Sequence, residues 1–158
     1  MVASVNSTYV DAVTTVFSTP IAGKVWFATA AGCFALVQVV TAARIYGRLG
    51  RLVPARLAGV PVNRVHRWSG RLAFVCTLPV AFHCIFILGF ETTSTRVLVH
   101  SVVGSFFYGV FAVKVFAVRE HALPGWALPV VGGTLFGVLA LLWSTSSLWY
   151  FTTVRVGF

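Results

Sequence analysis

Four stretches of this chain are long, apolar and almost free of charge, which leaves few folds open. A helix needs about 20 such residues to cross roughly 30 Å of hydrocarbon. The runs fall at about 24–44, 69–90, 97–118 and 125–146. They are continuous rather than alternating, so they read as helices, not as barrel strands. Of 158 residues, 58% are hydrophobic and 9% charged, with a mean hydropathy of +0.91. A soluble domain carries about 25% charged residues. The expectation is an all-α integral membrane protein. Residues 1–158 form one transmembrane domain, a four-helix bundle running up-down-up-down. The length leaves no room for a second folded domain.

Charge sets the orientation. The chain carries ten Arg, two Lys and three acids, a net +9. Arg44, Arg48, Arg51, Arg56, Arg64, Arg67 and Arg71 cluster between the first two runs, and Arg119 follows the third. Between the second and third runs stands only Arg96, against Glu91. The tails contribute Lys24 and Arg155. The positive-inside rule then predicts a multi-pass plasma-membrane protein with both termini outside and the Arg-rich loop cytoplasmic. That loop, with Pro54, Gly59 and Pro61, reads as a surface connection resting on anionic lipid headgroups. Nucleic acid is excluded as a partner, because the basic charge is spent on topology. Trp143, Trp149 and Tyr150 are expected to form an outer interfacial belt. Residues 1–20 lack a basic region before an apolar core, so a cleaved signal peptide is not expected. Cys33, Cys76 and Cys84 lie in apolar runs and read as small buried hydrophobes. No C-x-x-C or C-x-x-C-H occurs, so thiol-redox and covalent c-type haem motifs are absent.

The chemistry-bearing residues are the four histidines, His66, His83, His100 and His121. They fall near the ends of two consecutive segments. On antiparallel helices His83 meets His100 in the outer half, and His66 meets His121 at the cytoplasmic rim. His66 and His83 stand 17 residues apart, about 25 Å of rise, and His100 and His121 stand 21 apart, about 31 Å. Helix tilt or a frayed end absorbs the difference. No single ion can gather all four, so one tetrahedral zinc site is excluded. Paired imidazoles on facing helices suit axial ligation of haem iron. Pro79, four residues before His83, is expected to kink the second helix and re-aim that ring.

Small and charged neighbours fit the same picture. Gly70 follows His66 by four and Gly104 follows His100 by four, so each shares a face with its histidine. A glycine there removes the side chain that would strike a flat macrocycle, although tight helix packing also selects small residues. Gly125 stands likewise after His121 but follows Pro124 and reads as a turn. Arg67, Arg71 and Lys114 lie near the inner pair and could hold haem propionates, Arg through its bidentate fork. The alternative is plain topology for the arginines and snorkelling for Lys114.

The run His66-Arg67-Trp68-Ser69-Gly70-Arg71, with His83 in the following span and His100 opening the next, resembles membrane cytochromes b. The nearest groups are cytochrome b561-like and ferric-reductase-like transmembrane proteins. More loosely, the whole chain looks like small four-helix actinobacterial membrane proteins. The motif match covers residues 64–104, and the fourth helix is matched by hydropathy alone. The resemblance implies two b-type haems stacked across the membrane, with His66, His83, His100 and His121 as axial ligands. This chain departs from the pattern: its histidine spacings exceed the near-14 typical of ferric-reductase-like helices, and it has four spans rather than five or six.

No dinucleotide fingerprint, Walker loop, Ser-His-Asp set or H-E-x-x-H occurs. Asp11, Glu91 and Glu120 all fall in tails or loops, so a carboxylate proton relay is poorly supported. The expected function is transmembrane electron transfer by a b-type cytochrome with two bis-histidine haems, as a component of a membrane oxidoreductase. Its partner is a redox protein or quinone, within a homo- or hetero-oligomer. Two alternatives stand beside it: a single-haem variant, and a cofactor-free accessory or scaffold subunit of a membrane complex.

Overall fold

The structure, a computed structural model, describes residues 2–48, 59, 61–120 and 124–154. Among these it is entirely helical. Four helices are long and apolar enough to cross a membrane: Pro20–Ile45, Val62–Leu88, Thr95–Arg119 and Ala127–Thr153. The chain is therefore a multi-pass membrane protein. Each expected span is found, with altered ends. The second starts seven residues earlier than expected, because its first two turns carry arginines that hydropathy assigns to a loop. Residues Arg51, Pro54, Arg56, His121 and Arg155 lie outside the described residues.

A short helix, α1 (Val2–Thr14), precedes the spans. This stretch reads in sequence as a tail, without an expected helix. Its polar sequence hides the apolar contacts that hold it. The chain turns over residues 15–18 into α2 (Pro20–Ile45). Thr19 caps α2, accepting from the Ala22 amide at 3.1 Å, and Pro20 fits the first turn, where no amide is needed. At its other end, Gly47 adopts φ +72. Its amide donates to the Arg44 carbonyl at 3.0 Å, and the Arg48 amide donates to the Ala43 carbonyl at 2.9 Å. These two bonds make a Schellman stop, which needs the left-handed conformation that glycine allows.

The next helix, α3 (Val62–Phe82), runs on into a π-helical segment, His83–Leu88, ended by Gly89 at φ 74. Pro79 lies inside α3, four residues before this change of pitch. His83 opens this π segment, in which the ladder shifts by one residue. Ser94 caps α4 (Thr95–Arg119). Glu120 takes extended backbone and closes α4 there. α5 (Ala127–Trp143) continues through a second π segment, Ser144–Leu148, into α6 (Trp149–Thr153).

Packing is pairwise. α2 lies along α3, α4 lies along α5, and α2 also touches α5. The buried positions of α2 are small: Ala22, Gly23, Val25, Ala31, Ala35 and Thr41. Small residues let helix backbones approach, the usual basis of association where lipid is as apolar as the helices. α3 and α4 meet mainly through long side chains. Phe74 stacks on Phe111 with centroids 4.3 Å apart, and the Tyr108 hydroxyl donates to Thr77 at 3.1–3.2 Å. Trp143, expected in an outer belt, also joins two helices. Its indole donates to Thr29 Oγ1 of α2 at 3.0 Å.

Candidate functional site

His83 opens the π segment of α3 and is 2% exposed. Its Nδ1 lies 3.2 Å from the Tyr9 hydroxyl of α1, and Tyr9 also packs on Phe82 with centroids 5.0 Å apart. The other ring nitrogen, Nε2, is buried and has no hydrogen-bond partner. A buried, unpaired ring nitrogen costs about 1–3 kcal/mol, so such atoms mark places where something else is bound. The only other such side-chain atom among the described residues is Ser147 Oγ, in the π segment after α5.

His100 stands one turn into α4. Its Nδ1 lies 2.9 Å from Thr145 Oγ1. Thr145 also donates its single proton to the Leu141 carbonyl at 2.8 Å. The hydroxyl must therefore accept from the imidazole, which fixes His100 with a proton on Nδ1 and a lone pair on Nε2. Arg96, one turn earlier, donates to the Thr145 carbonyl and lays its guanidinium 4.1 Å from the Trp149 ring centroid. One α4 face thus grips the π segment at two points and the start of α6 at a third. The Lys24 ammonium of α2 lies within Coulombic reach of both His83 and His100.

A cavity of about 870 Å³ opens between α3 and α4 and reaches α2 and α5. Its wall includes Cys84, His100, Gly104, Phe107, Tyr108 and Leu142. His83 is not part of that wall, although its neighbour Cys84 is. A Cβ at Gly104 would meet only Leu142 at 3.7 Å, an ordinary contact, so there is room beside this part of the wall.

The half expected to face inward differs from expectation. His66 lies on α3, with Nδ1 2.8 Å from Thr41 Oγ1 of α2. Thr41 donates to the Val37 carbonyl at 2.6 Å, so His66 carries its proton on Nδ1 by the same reasoning. Gln38 donates to the His66 carbonyl and, at 2.7 Å, to Ser69 Oγ. Gly70 faces this Gln38, whose Oε1 would stand 3.1 Å from an added Cβ. Its space is filled by α2 and leaves no room for a macrocycle. Arg71 lies over Trp68, 5.1 Å from the ring centroid, and Arg67 is exposed. Lys114 is half-buried and within Coulombic reach of His66. His121 lies outside the described residues, and α4 ends before it. No described contact joins it to His66. Among the described residues no three of His, Cys, Asp or Glu gather closely enough to hold a metal ion.

Sequence reasoning missed Tyr9, Thr41, Gln38 and Thr145. A signal existed for the last three, since each is a polar residue inside an apolar run. Tyr9 carried none.

The arrangement defines a class: a multi-pass helical membrane protein whose histidines are oriented by hydroxyls from neighbouring helices. The chain belongs to the family described as a family of unknown function (DUF6529), whose model matches residues 2–158. No curated protein and no solved structure matches it.

Proposed function

We propose that the protein is a b-type membrane cytochrome that binds haem in its outer half through His83 and His100. The single observation that carries this reading is the state of the two rings. Each is held at Nδ1 by a hydroxyl, and the Nε2 of His83 is buried with no hydrogen-bond partner in the described protein. A hydrogen bond at one ring nitrogen that orients the other is the usual support of a metal-ligating histidine. The cavity beside His100, with Gly104 in its wall, supports the reading in volume.

When bound, haem supplies a one-electron carrier that cycles between ferric and ferrous iron. The chain's own residues do the rest. Thr145 holds the Nδ1 of His100 and so aims its Nε2, and Arg96 steadies Thr145 by binding its carbonyl. Tyr9 closes α1 over His83 and keeps water from it. The Lys24 ammonium offers a positive charge to a carboxylate near both rings. In this reading the four spans form an up-down-up-down bundle in the plasma membrane, with both termini outside and the arginine-rich end in the cytoplasm. Electrons pass between a quinol or redox protein and an acceptor across the membrane. An inner haem would need His66 and His121.

One observation favours a second reading, a cofactor-free accessory subunit of a membrane complex. All three described histidines already tie helices together through their hydroxyl bonds. Purification from haem-replete cells in mild detergent separates the two. The cytochrome gives a red preparation with sharp reduced-minus-oxidised bands and one pyridine haemochrome per chain, lost in both His83→Ala and His100→Ala. A folded, colourless protein ends the cytochrome reading.

A further inference from the structure

The hydroxyls that hold the two rings differ in character. Thr145 gives its proton to the Leu141 carbonyl at 2.8 Å, so it can only accept from His100 Nδ1. Tyr9 has no such outlet. Among the described residues its hydroxyl has one hydrogen-bond partner, His83 Nδ1 at 3.2 Å. A neutral imidazole carries one proton, so this bond can run either way. If Nδ1 held the proton, the phenol would accept, and its own O–H would meet no acceptor among the described residues. If the phenol donates, Nδ1 accepts and the imidazole proton sits on Nε2. The phenol ring is fixed from the side as well, with its centroid 5.0 Å from that of Phe82 and 5.8 Å from that of His83. Val13, one turn on, and Phe17 beyond it sit against Gly23 of α2.

From this we infer that Tyr9 holds His83 in the tautomer with its proton on Nε2, which cannot ligate a metal, and that α1 is thereby a latch on that nitrogen. His100 is preset for ligation and His83 is not. Ligation through Nε2 of His83 needs the imidazole proton moved to Nδ1, where it would point at the proton of the Tyr9 hydroxyl. The hydroxyl must then turn and leave its own proton without an acceptor among the described residues, or α1 must shift. Ligation at Nε2 and docking of α1 therefore oppose each other. By linkage, whatever frees α1 strengthens ligation by the same factor that ligation weakens docking. A helix of 13 residues is marginal alone, so α1 depends on these contacts. The tautomer stands on the Tyr9 bond alone, and the latch rests on the haem reading.

Nitrogen NMR of the full chain in mild detergent, labelled at the histidine rings and free of haem, reads the tautomer directly, with His83→Gln to assign the signal. His83 is expected to show a protonated Nε2 and a hydrogen-bonded, unprotonated Nδ1, and His100 the reverse. A proton on Nδ1 of His83 overturns the inference. Hydrogen exchange and haem titration read the latch. Amides of α1 should exchange faster in the haem-loaded wild type than in the haem-free one. Tyr9→Phe should retain haem about two- to tenfold more tightly, the worth of one opposing hydrogen bond removed, whereas a mere cover predicts weaker retention. Haem that leaves α1 exchange unchanged or slower overturns the latch, as does Tyr9→Phe binding haem no better than the wild type. If Tyr9→Phe does not fold, the wild-type spectrum and exchange decide. A folded protein that takes up no haem ends the cytochrome reading and the latch with it, while the nitrogen spectrum still decides the tautomer.

Discussion

Gly23→Ala is the sharpest test of how α1 is held over His83. Gly23 is buried in the first turn of α2, facing α1. An alanine Cβ there would stand 2.7 Å from Val13 Cγ1 and 3.1 Å from Phe17 Cδ2. Val13 is β-branched, with a stiff χ1, and cannot swing away cheaply. Overpacking of this kind costs about 1–3 kcal/mol. The helix itself prefers alanine to glycine by about 1 kcal/mol, so the two effects have opposite signs and act on different elements. Hydrogen exchange followed by mass spectrometry separates them. Amides of α1 should exchange about 5- to 150-fold faster, the equivalent of that cost, while α2 stays as protected as before. Val13→Ala removes the offending methyl, so Val13→Ala/Gly23→Ala should restore much of the protection that Gly23→Ala alone loses. Unchanged exchange in α1 of Gly23→Ala would refute the contact and, with it, the placement of α1 as the cover of His83.

Two further outcomes follow from the rings' partners. Thr145→Val deletes the acceptor of the His100 Nδ1 proton, and loss of such a support should weaken haem retention about 10- to 100-fold, measured by haem titration of the apo-protein. Thr145→Ser keeps the hydroxyl and should bind as the wild type does; equal weakening in both refutes the role of the bond. Tyr9 is the other case. Burial, and then the charge of Cys84, push its phenol above the ordinary 10.0. The docked state holds that proton more tightly than the undocked one, so docking is at full strength below pH 10.0 and weakens as pH rises through the higher, docked value. Ultraviolet difference titration of wild type against Tyr9→Phe should show one phenol ionising late, and ionisation at or below 10.0 would show Tyr9 undocked.

The spans were legible because twenty-residue apolar runs have one solution in lipid. Their ends were less so. Hydropathy stops at Arg71, whereas the backbone of α3 begins at Val62, because a helix does not end where hydrocarbon does. The end of α4 was readable in part. Pro124 and Gly125 follow Arg119 closely and form a stop signal, and α4 ends at Arg119. α1 was not legible, since its order comes from Val13 against Gly23 and Tyr9 against His83, contacts distant in sequence. His83 and His100 were both singled out by sequence. The hydroxyls that hold them were not, because spacing along one helix says nothing about which neighbour supplies a partner. The run Ser144-Thr145-Ser146-Ser147 was a visible hint of local backbone rearrangement.

The two π segments change how this chain must be aligned in space. Each shifts the backbone ladder by a residue, and one residue of helix is about 100° of rotation. A helical wheel drawn straight through His83–Leu88 or Ser144–Leu148 therefore puts every later side chain on the wrong compass bearing. With uniform pitch Trp149 would swing away from Arg96, and the guanidinium that steadies Thr145 would lose its aromatic bed. The end of the protein that carries His100 and Thr145 is keyed by angular phase, and a single-residue deletion in Ser144–Leu148 would turn that key.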